Sequence, residues 1–548
     1  MTNPAKLLLA PALAAALACA GPTPAATPQT AGTPPTDAPT DPTSPQEAPA
    51  LVVFVVVDQM RADHLTRYAE AWREGFKRLI EGGMVFHQAS HDHAYTETAA
   101  GHATLSTGTY PSRHGIVGNE WSQEGDAGWR STYAVEDAAA PIVDWPTLGG
   151  RSPANLLRTG LADWVQAADS DARVTSISTK DRAAITMAGK SGGHTYWVHE
   201  STGIFATSEY YRKDLPRWVR SFNEGVMPPL YQDTLWTSLV PAEAAPLSRP
   251  DTFPFEGDGV HTAFPHNGRL EARDTSDWAF LAWVREWTPR LDAASLELAL
   301  RAVDELDLGQ RGHTDFLSVS FSQVDYVGHR FGPFSREQLD NLLRLDHLLG
   351  RLMESLDSSV GEGRWVMALS SDHGVLELPE WRAQEGMAGA RVTGDDLRAY
   401  RDALRSDIAQ GGDVAAIRDR VEATARGTWF IDALYRHEDL LAGARPDTFA
   451  VLFRNSQYPG RTKGTLSRLG IMERQTEGTL MSDGAPYGTS HGSAYWYDRH
   501  VPLVFYGAGV RAGRSDEAVR TVDVAPSLAA LAGISAPDDL DGRALVSR

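Results

Sequence analysis

The stretch LVVFVVV at residues 51–57 decides the fold class, and Asp58 follows it directly. Seven apolar residues without interruption, five of them valine, are typical of a strand that is buried on both faces of a parallel sheet. Parallel strands need helices as connections and as cover. The sequence therefore predicts an α/β fold whose central, largely parallel sheet is flanked by helices.

Three later apolar runs also adjoin side chains of the kind that bind metals. They are FLSVSF at 316–321, followed by Asp325 and His329; WVMAL at 365–369, followed by Asp372 and His373; and VPLVFY at 501–506, preceded by His491. In an open α/β sheet, ligands bind at the carboxyl ends of the strands. We therefore expect these side chains and Asp58 to meet at one edge of the sheet.

Thiolate ligands are excluded from the body of the chain, because its single cysteine is Cys19. The candidate ligands are three carboxylates and three imidazoles: Asp58, Asp325, Asp372, His329, His373 and His491. Such a set suits two adjacent divalent ions of the Zn²⁺ type. Three protein ligands for each ion leave one coordination position open, as catalysis requires.

The pair Asp346-His347 has the same residue types but a different interpretation. It lies within 335–356, where leucines recur at helical spacing behind a capping box formed by Ser335 and Gln338. We expect this pair on the surface of that helix.

His91, His93 and His102 suggest a further metal cluster by their proximity in the sequence. We favour local hydrogen bonds in a loop for His91 and His93, and packing for His102.

A threonine-rich segment, YTETAAGHATLSTG at 95–108, offers candidate nucleophiles. Thr98 precedes a helix-favouring run, so we expect it to be the N-cap of a helix whose amides face a phosphate. A metal ion on the Thr98 hydroxyl would lower its pKa and favour the alkoxide. On this reasoning Thr96 remains a competing nucleophile, and the alternative is that both threonines are turn and cap residues.

The charge balance limits the class of partner. The chain has 51 Lys and Arg against 71 Asp and Glu, which gives a net charge of −20. Because nucleic-acid binding requires a basic face, this balance disfavours a nucleic-acid-binding protein. With 42% hydrophobic and 22% charged residues, the composition is typical of a soluble globular protein.

The first 50 residues are typical of an export signal and a tether. Lys6 and the apolar run after it predict a signal peptide over 1–20, and the position of Cys19 also fits a lipoprotein signal with a lipid anchor. The apolar run is too short to span a bilayer. Nine prolines within 21–50 predict an extended tether. We therefore expect an exported protein that is periplasmic or is anchored at the outer membrane or cell surface.

Five motifs, in order along the chain, resemble the alkaline phosphatase superfamily. They are VVDQMR at 56–61, TETAAGHATLSTGTYPSRHGIVGN at 96–119, VDYVGHRFGP at 324–333, SSDHG at 370–374 and SHGSAYWYDRHVPLVFYG at 490–507. The chain is most similar to bacterial alkaline phosphatases of the phosphate-irrepressible type, which use a threonine nucleophile. Nucleotide pyrophosphatase/phosphodiesterases are their relatives.

The resemblance implies roles for individual residues. It implies one zinc ion held by Asp325, His329 and His491, and another held by Asp58, Asp372 and His373. It also selects Thr98 over Thr96 as the nucleophile. Asn119 matches the phosphate-contacting asparagine of the family, although by itself it would be interpreted as a turn residue.

In this family a Lys-x-Arg pair separates monoesterases from diesterases. Lys180 and Arg182 follow the apolar-leaning segment 174–177, and only six of the 51 basic residues are lysines. By themselves, the two side chains would be interpreted as solvated. The resemblance implies that they neutralise a monoester dianion, with Arg182 making bidentate contact.

We therefore expect a zinc-dependent phosphate monoester hydrolase of broad specificity, active on small phosphorylated substrates at neutral to alkaline pH. Residues 51–548 would form one catalytic domain, monomeric, with insertions at about 185–310 and 375–485 that cap the site. A phosphodiesterase or nucleotide pyrophosphatase on the same bimetal site is the alternative. A sulfatase is disfavoured, because the required C/S-x-P-x-R signature is missing. A structural or metal-binding protein would be favoured if the six ligands did not converge.

Overall fold

The computed structural model of the protein describes residues 48–547, except 126–127, 445–446, 465 and 482–484. The predicted signal peptide over 1–20, and the predicted tether as far as residue 47, lie outside the described residues. Among the helices that the structure describes, none combines the length and the apolar character that a membrane span needs.

The strand predicted at 51–57 lies inside a nine-stranded sheet. The strands of the described residues are β1 Leu51–Val57, β2 Met84–Ser90, β3 Glu120–Gly125, β4 Gly128–Tyr133, β5 Glu136–Ile142, β6 Trp145–Arg151, β7 Val174–Ser178, β8 His194–Val198, β9 Phe205–Ala206, β10 Leu235–Trp236, β11 His266–Asn267, β12 Asp315–Phe321, β13 Trp365–Ser370, β14 Ala390–Arg391, β15 Ile431–Arg436, β16 Arg461–Thr462, β17 Ile471–Gln475, β18 Thr479–Leu480, β19 Leu503–Gly507 and β20 Gly513–Arg520. The order in the large sheet is β20-β2-β19-β13-β1-β12-β7-β8-β9, and the other strands form sheets of two or three.

Helices connect the strands and cover the sheet. They are α1 Asp63–Arg67, α2 Gly75–Gly82, α3 Thr98–Thr107, α4 Pro111–His114, α5 Leu161–Ala168, α6 Asp181–Ala188, α7 Arg217–Gly225, α8 Met227–Gln232, α9 Gly268–Glu271, α10 Asp277–Trp287, α11 Arg290–Glu305, α12 Gln323–Phe331, α13 Arg336–Leu356, α14 Pro379–Gln384, α15 Gly394–Ala409, α16 Val414–Arg426, α17 His437–Leu441, α18 Thr448–Asn455, α19 Trp496–Arg499 and α20 Val524–Ala532.

Both faces of β1 are buried, which explains its continuous apolar sequence. On one face, Val53 and Val55 pack in a core that includes the leucines of α13. On the other face, Phe54 and Val56 pack in a second core that includes α20. The alternation of side chains along a strand divides the run between the two cores. The predicted α/β fold is therefore confirmed.

The carboxyl ends of three strands meet at one edge of the sheet. β1 runs parallel to β12 and to β13, with Val57 opposite Phe321 and Val56 opposite Ser370. β19 is antiparallel to β13, with Leu503 opposite Ser370, so β19 starts where the other three strands end. This direction explains why a ligand precedes the fourth apolar run, whereas ligands follow the first three.

The segments between the motifs contribute to several parts of the molecule. Within 185–310, β8 and β9 extend the central sheet, and α11 packs in the same core as β1. Within 375–485, α15 and α16 share a separate apolar core with β15 and β17. Side chains from the second segment line a cavity with His491, and residues of both segments line another with His329.

The helix predicted behind the capping box is confirmed as α13, where Ser335 Oγ accepts a hydrogen bond of 3.0 Å from the backbone N–H of Gln338. The surface position predicted for Asp346 is wrong, because its side chain is buried, whereas that of His347 is exposed. The Asp346 carboxylate accepts three backbone N–H groups at the start of α2, those of Arg73, Glu74 and Phe76, at 2.7–3.0 Å. It thus satisfies amides that a helix start leaves without partners.

We predict that Asp346→Ala lowers the free energy of unfolding by about 2–3 kcal/mol, because it leaves buried amides without an acceptor. His347→Ala is the matched control and should change it by less than about 0.5 kcal/mol, since the contact of His347 Nδ1 with Glu74 Oε2 at 2.9 Å is exposed, and exposed ion pairs contribute little. Chemical denaturation measures both values. Similar values for the two variants would contradict the capping role.

Candidate active site

The six predicted ligands meet at the edge where β1, β12 and β13 end. Asp58 directly follows β1, and Asp325 and His329 lie four residues apart, on one face of α12. Asp372 and His373 follow β13. His491 lies in the loop before α19 and β19.

The ligands form two groups of three, and within each group the ligand atoms lie within 4.8 Å of one another. One group is Asp325, His329 and His491, and the other is Asp58, Asp372 and His373. These are the same two sets that the family resemblance implied. The groups are adjacent, since the rings of His373 and His491 stack with their centroids 3.5 Å apart.

The hydrogen bonds of the three histidines fit metal ligation. In each ring Nδ1 lies within hydrogen-bonding distance of a backbone carbonyl: Thr489 O at 2.8 Å for His329, Gly374 O at 3.0 Å for His373 and Thr96 O at 2.6 Å for His491. A proton on Nδ1 leaves the Nε2 lone pair available to a cation. His373 Nε2 and Asp58 Oδ1 are buried and have no hydrogen-bond partner among the described residues. Buried polar atoms of this kind require a partner, and a cation supplies one.

The three carboxylates create a strongly negative site. Burial, and after it the Asp372 carboxylate, raises the pKa of Asp58 well above its usual value. Burial would also raise the pKa of Asp325, but His329 and Lys180 outweigh it and hold that pKa well below its usual value. Positive charge is therefore needed to keep all three groups ionised.

Lys180 supplies part of this positive charge. Its Nζ lies 2.7 Å from Asp58 Oδ2 and 2.5 Å from Asp325 Oδ2, so it bridges the two ligand groups. Burial would lower the pKa of Lys180, but Asp325 and Asp58 raise it above its usual value. The side chain is therefore charged and buried, which rules out the solvated interpretation. Its contact with ligand carboxylates was not predicted from the sequence.

Thr98 is the first residue of α3, and Glu97 occupies the N-cap position that we predicted for Thr98. The prediction is wrong by one residue because Glu97 has the extended backbone that a cap requires. Thr96 Oγ1 donates a hydrogen bond of 2.9 Å to Ser493 O. Thr98 Oγ1 makes no hydrogen bond within the described part of the chain. Of the two threonines, Thr98 therefore has the hydroxyl that is available for chemistry.

Asn119 is held beside the start of α3. Its Oδ1 accepts the N–H of Ala99 at 2.8 Å, and its own N–H donates to Glu97 Oε2 at 2.8 Å. The side-chain amide N–H₂ therefore remains as a donor. Glu97 is held in turn by Lys463, whose Nζ lies 2.9 Å from Glu97 Oε1. Sequence reasoning missed Glu97 and Lys463, although the scarcity of lysine that drew attention to Lys180 also applies to Lys463.

Gly101 allows α3 to pack directly on the backbone of Asp372. A β-carbon at this position would lie 2.1 Å from Asp372 O, which is far closer than any real contact. One turn from Thr98, His102 places Nδ1 3.1 Å from Asp372 Oδ2 and Nε2 2.9 Å from Ser320 Oγ. The packing predicted for His102 is therefore incomplete, because the ring also makes polar contacts with a candidate ligand.

Of the other two histidines, His93 makes the predicted local contact, with Nδ1 3.0 Å from Tyr95 O. His91 instead contacts distant segments, with Nε2 2.9 Å from Ser371 O and Nδ1 2.9 Å from Thr521 Oγ1. The local hydrogen bond predicted for His91 is therefore wrong.

Gln59 links the two ligand groups, although no pattern in the sequence selects it. Its side-chain amide donates to Asp325 Oδ1 at 2.7 Å, and its backbone N–H donates to Asp372 Oδ1 at 3.1 Å. Its φ of 68° is unusual for a residue other than glycine. Gly328 makes room for it, because a β-carbon there would lie 2.0 Å from Gln59 Oε1.

Arg182 follows Lys180 at the start of α6 and faces a cavity of about 480 Å³. Lys180, Tyr326 and Arg285 also line this cavity. Of the two basic residues that the resemblance implied, Lys180 therefore lies between the ligand groups, and Arg182 shares the wall of the cavity with Lys180.

Comparisons with known proteins cover most of the chain. The profile of the type I phosphodiesterase / nucleotide pyrophosphatase family matches residues 52–474. Alkaline phosphatase PhoV from Synechococcus elongatus is 32% identical over 531 residues, which cover 91% of this chain and 92% of PhoV. Alkaline phosphatase PafA from Elizabethkingia meningoseptica is 31% identical over 518 residues, which cover 90% of this chain and 93% of PafA. A crystal structure of wild-type PafA matches with a TM-score of 0.81 and 28% identity, over 92% of this chain and 99% of that one.

We predict that Gly101→Ala lowers the free energy of unfolding by about 1–3 kcal/mol, because the new methyl group forces α3 away from Asp372. The sign of this change in the free energy of unfolding is informative, since replacing glycine by alanine within a helix usually stabilises a protein by about 0.5–1 kcal/mol. Gly225→Ala at the end of α7 is the control, because its β-carbon would meet no atom within 4 Å. Chemical denaturation should show opposite signs for the two variants. A stabilising Gly101→Ala would contradict the close approach.

Proposed function

We propose that the chain, which belongs to the type I phosphodiesterase/nucleotide pyrophosphatase family, is a zinc-dependent phosphate monoester hydrolase acting through a phosphothreonine on Thr98. Its membership of this family agrees with the predicted resemblance to the alkaline phosphatase superfamily. The observation that carries the proposal is that the segment around Thr98 contacts both groups of metal-type ligands. Asp372 of one group packs on α3 at Gly101. His491 of the other contacts Thr96 O, two residues before Thr98, at 2.6 Å.

Each ligand group would hold one Zn²⁺ ion. The donors are imidazole and carboxylate only, and each group has three of them, as in catalytic zinc sites with an open position. When bound, the two ions would supply the positive charge that activates the hydroxyl and water and stabilises the leaving oxygen.

The reaction proceeds in two displacements. Thr98 Oγ gives up its proton and attacks phosphorus in line, so that the Oγ–P bond forms while the ester P–O bond breaks and the leaving oxygen takes up one proton in exchange. Water then attacks the phosphothreonine, which breaks the Oγ–P bond, returns a proton to Thr98 Oγ and releases inorganic phosphate. The side-chain amide of Asn119 and the guanidinium of Arg182 hold the phosphoryl oxygens through both steps. Alignment and charge stabilisation provide most of the rate enhancement in chemistry of this kind.

Lys180 and Arg182 favour a monoester over a diester, because a monoester dianion carries one more negative charge and no second ester group. The net charge of −20 does not oppose such a substrate. With two divalent ions, three aspartates and these two basic residues, the site itself would be positively charged. PhoV and PafA are alkaline phosphatases and match about nine-tenths of the chain, and this similarity supports the monoesterase. The family description keeps a phosphodiesterase as the second candidate.

The substrates would be small phosphorylated compounds outside the cytoplasm. This part of the proposal rests on the predicted export signal over 1–20 and on Cys19 as a lipid anchor.

We predict that the wild type hydrolyses an aryl phosphate monoester with a kcat/KM at least about a hundredfold above that for the matching diester. Thr98→Ala should lower monoester kcat/KM by about a thousandfold or more, because it removes the nucleophile. Arg182→Ala should lower it by about a hundredfold while affecting the diester little. Initial rates under saturating Zn²⁺ measure these values.

Arg405→Ala is the control for these rates, since that side chain is 74% exposed and lies far from Thr98 in the sequence. It should leave both substrates unaffected. Equal or greater activity of the wild type on the diester would overturn the monoesterase. Undiminished turnover by Thr98→Ala would exclude the phosphothreonine.

We also predict that the chelated protein binds two Zn²⁺ ions and that they raise its thermal midpoint of unfolding in a concentration-dependent way, because ligands that bind the native state stabilise it. His329→Ala should bind one ion fewer. Asp169→Ala is the control, because Asp169 belongs to a more exposed group with Asp171 and His313 outside the site. Metal analysis and thermal unfolding provide the measurements, and a midpoint that is insensitive to Zn²⁺ would contradict the metal assignment.

A further inference from the structure

Arg182 is surrounded by a framework of side chains that the mechanism above does not use. We propose that Tyr133 is a positioning residue. It holds the Arg182 side chain at the place, relative to Asn119, where both residues contact the terminal phosphoryl group. The proposal rests on the proposed function and identifies a residue that sets the preference for monoesters.

Tyr133, Arg151 and Arg182 converge on the carboxylate of Asp181. The Tyr133 hydroxyl donates to Oδ1 at 2.5 Å, and Arg151 Nε donates to Oδ2 at 2.7 Å. The backbone N–H of Arg182 also donates to Oδ1, at 2.7 Å. The guanidinium of Arg151 lies over the Tyr133 ring, 5.1 Å from its centroid. Both oxygens of Asp181 are thus fixed, and with them the first turn of α6, from which Arg182 projects.

The Tyr133 hydroxyl presents a lone pair to Arg182. Its oxygen lies 3.5 Å from Nη1 of Arg182, and its proton is committed to Asp181. Burial, and after it the Asp181 carboxylate, raises the pKa of Tyr133 well above its usual value. The hydroxyl therefore keeps its proton and has one fixed orientation between the carboxylate and the guanidinium.

The β3–β4 hairpin ties Tyr133 to Asn119. Glu120, at the start of β3, is opposite Tyr133, at the end of β4. The carbonyl of Asn119 accepts the N–H of Ala134 at 2.9 Å. One pair of strands therefore sets the distance between Asn119 and the residue that holds Arg182, although Asn119 precedes β3 and Arg182 lies in α6.

Arg182 retains donors for an anionic ligand. Its Nε is buried and lacks a hydrogen-bond partner among the residues that the structure describes. The side chain also lines the cavity that contains Lys180 and Tyr326. A buried guanidinium in this state requires an acceptor with several oxygens, and a terminal phosphoryl group provides one. A diester provides fewer unsubstituted oxygens, so correct placement of Arg182 favours the monoester.

The test compares the wild type, Tyr133→Phe, Arg182→Ala and the double variant, all loaded with Zn²⁺. We measure kcat and KM for an aryl phosphate monoester and its matching diester, and the inhibition constant of inorganic phosphate. Tyr133→Phe should raise the monoester KM and the phosphate inhibition constant by about fivefold each, less than the full effect of a hydrogen bond to a charged group, because the contact between Tyr133 and Arg182 is long at 3.5 Å. Diester kcat/KM should stay within about twofold. In the Arg182→Ala background, Tyr133→Phe should have no further effect, because two residues that act together are not additive.

Tyr210→Phe is the matched control, since its hydroxyl donates to Lys190 O at 2.6 Å on the surface, and it should change none of these values. If Tyr133→Phe unfolds below the assay temperature, Asp181→Asn takes its place with the same expected pattern. Three results would overturn the proposal: no change in KM or inhibition constant, an equal loss on both substrates, or the same loss in the Arg182→Ala background. Failure of the proposed function is distinguishable, because the wild type would then show no monoester turnover.

Discussion

Three carboxylates buried side by side impose the main constraint on this protein. Asp58, Asp325 and Asp372 have little water to screen their mutual repulsion, so cations must accompany them. Lys180 bridges two of them, and divalent ions bound by the two ligand groups would balance the rest. The same positive charge would then serve a phosphate dianion. The repulsion between the carboxylates makes the site costly to fold, but it also requires the cations that would attract a phosphate dianion.

The sheet and two close contacts keep these groups together. Parallel strands deliver the carboxylates to one edge, and the antiparallel β19 lets a histidine ligand reach the same edge from the other direction. Gly101 and Gly328 are needed because a β-carbon at either position would overlap Asp372 or Gln59. Helix α3, which starts at Thr98, can therefore approach one group of candidate ligands, while Gln59 connects that group to the other.

The fold and the convergence of the six candidate ligands could be predicted because local patterns encode them. A buried parallel strand has a continuous apolar sequence, and the ligand follows where the strand ends, as at Asp58. The N-cap of α3 is Glu97 and not the predicted Thr98. Either residue is acceptable at a helix start, and only the backbone conformation decides between them. Gln59, Lys463 and Tyr133 act through contacts with distant segments, and no periodicity marks such contacts. Asp346 was misjudged for the same reason, because its partners lie some 270 residues away in the sequence.

The phosphothreonine on Thr98 is the central claim, and the stereochemistry at phosphorus tests it most directly. A chiral phosphorothioate monoester is hydrolysed in isotopically labelled water, and the configuration of the released thiophosphate is determined. Two in-line displacements, the first by Thr98 and the second by water, invert phosphorus twice, so we expect overall retention. Inversion would mean that water attacks the substrate directly and would contradict the covalent mechanism.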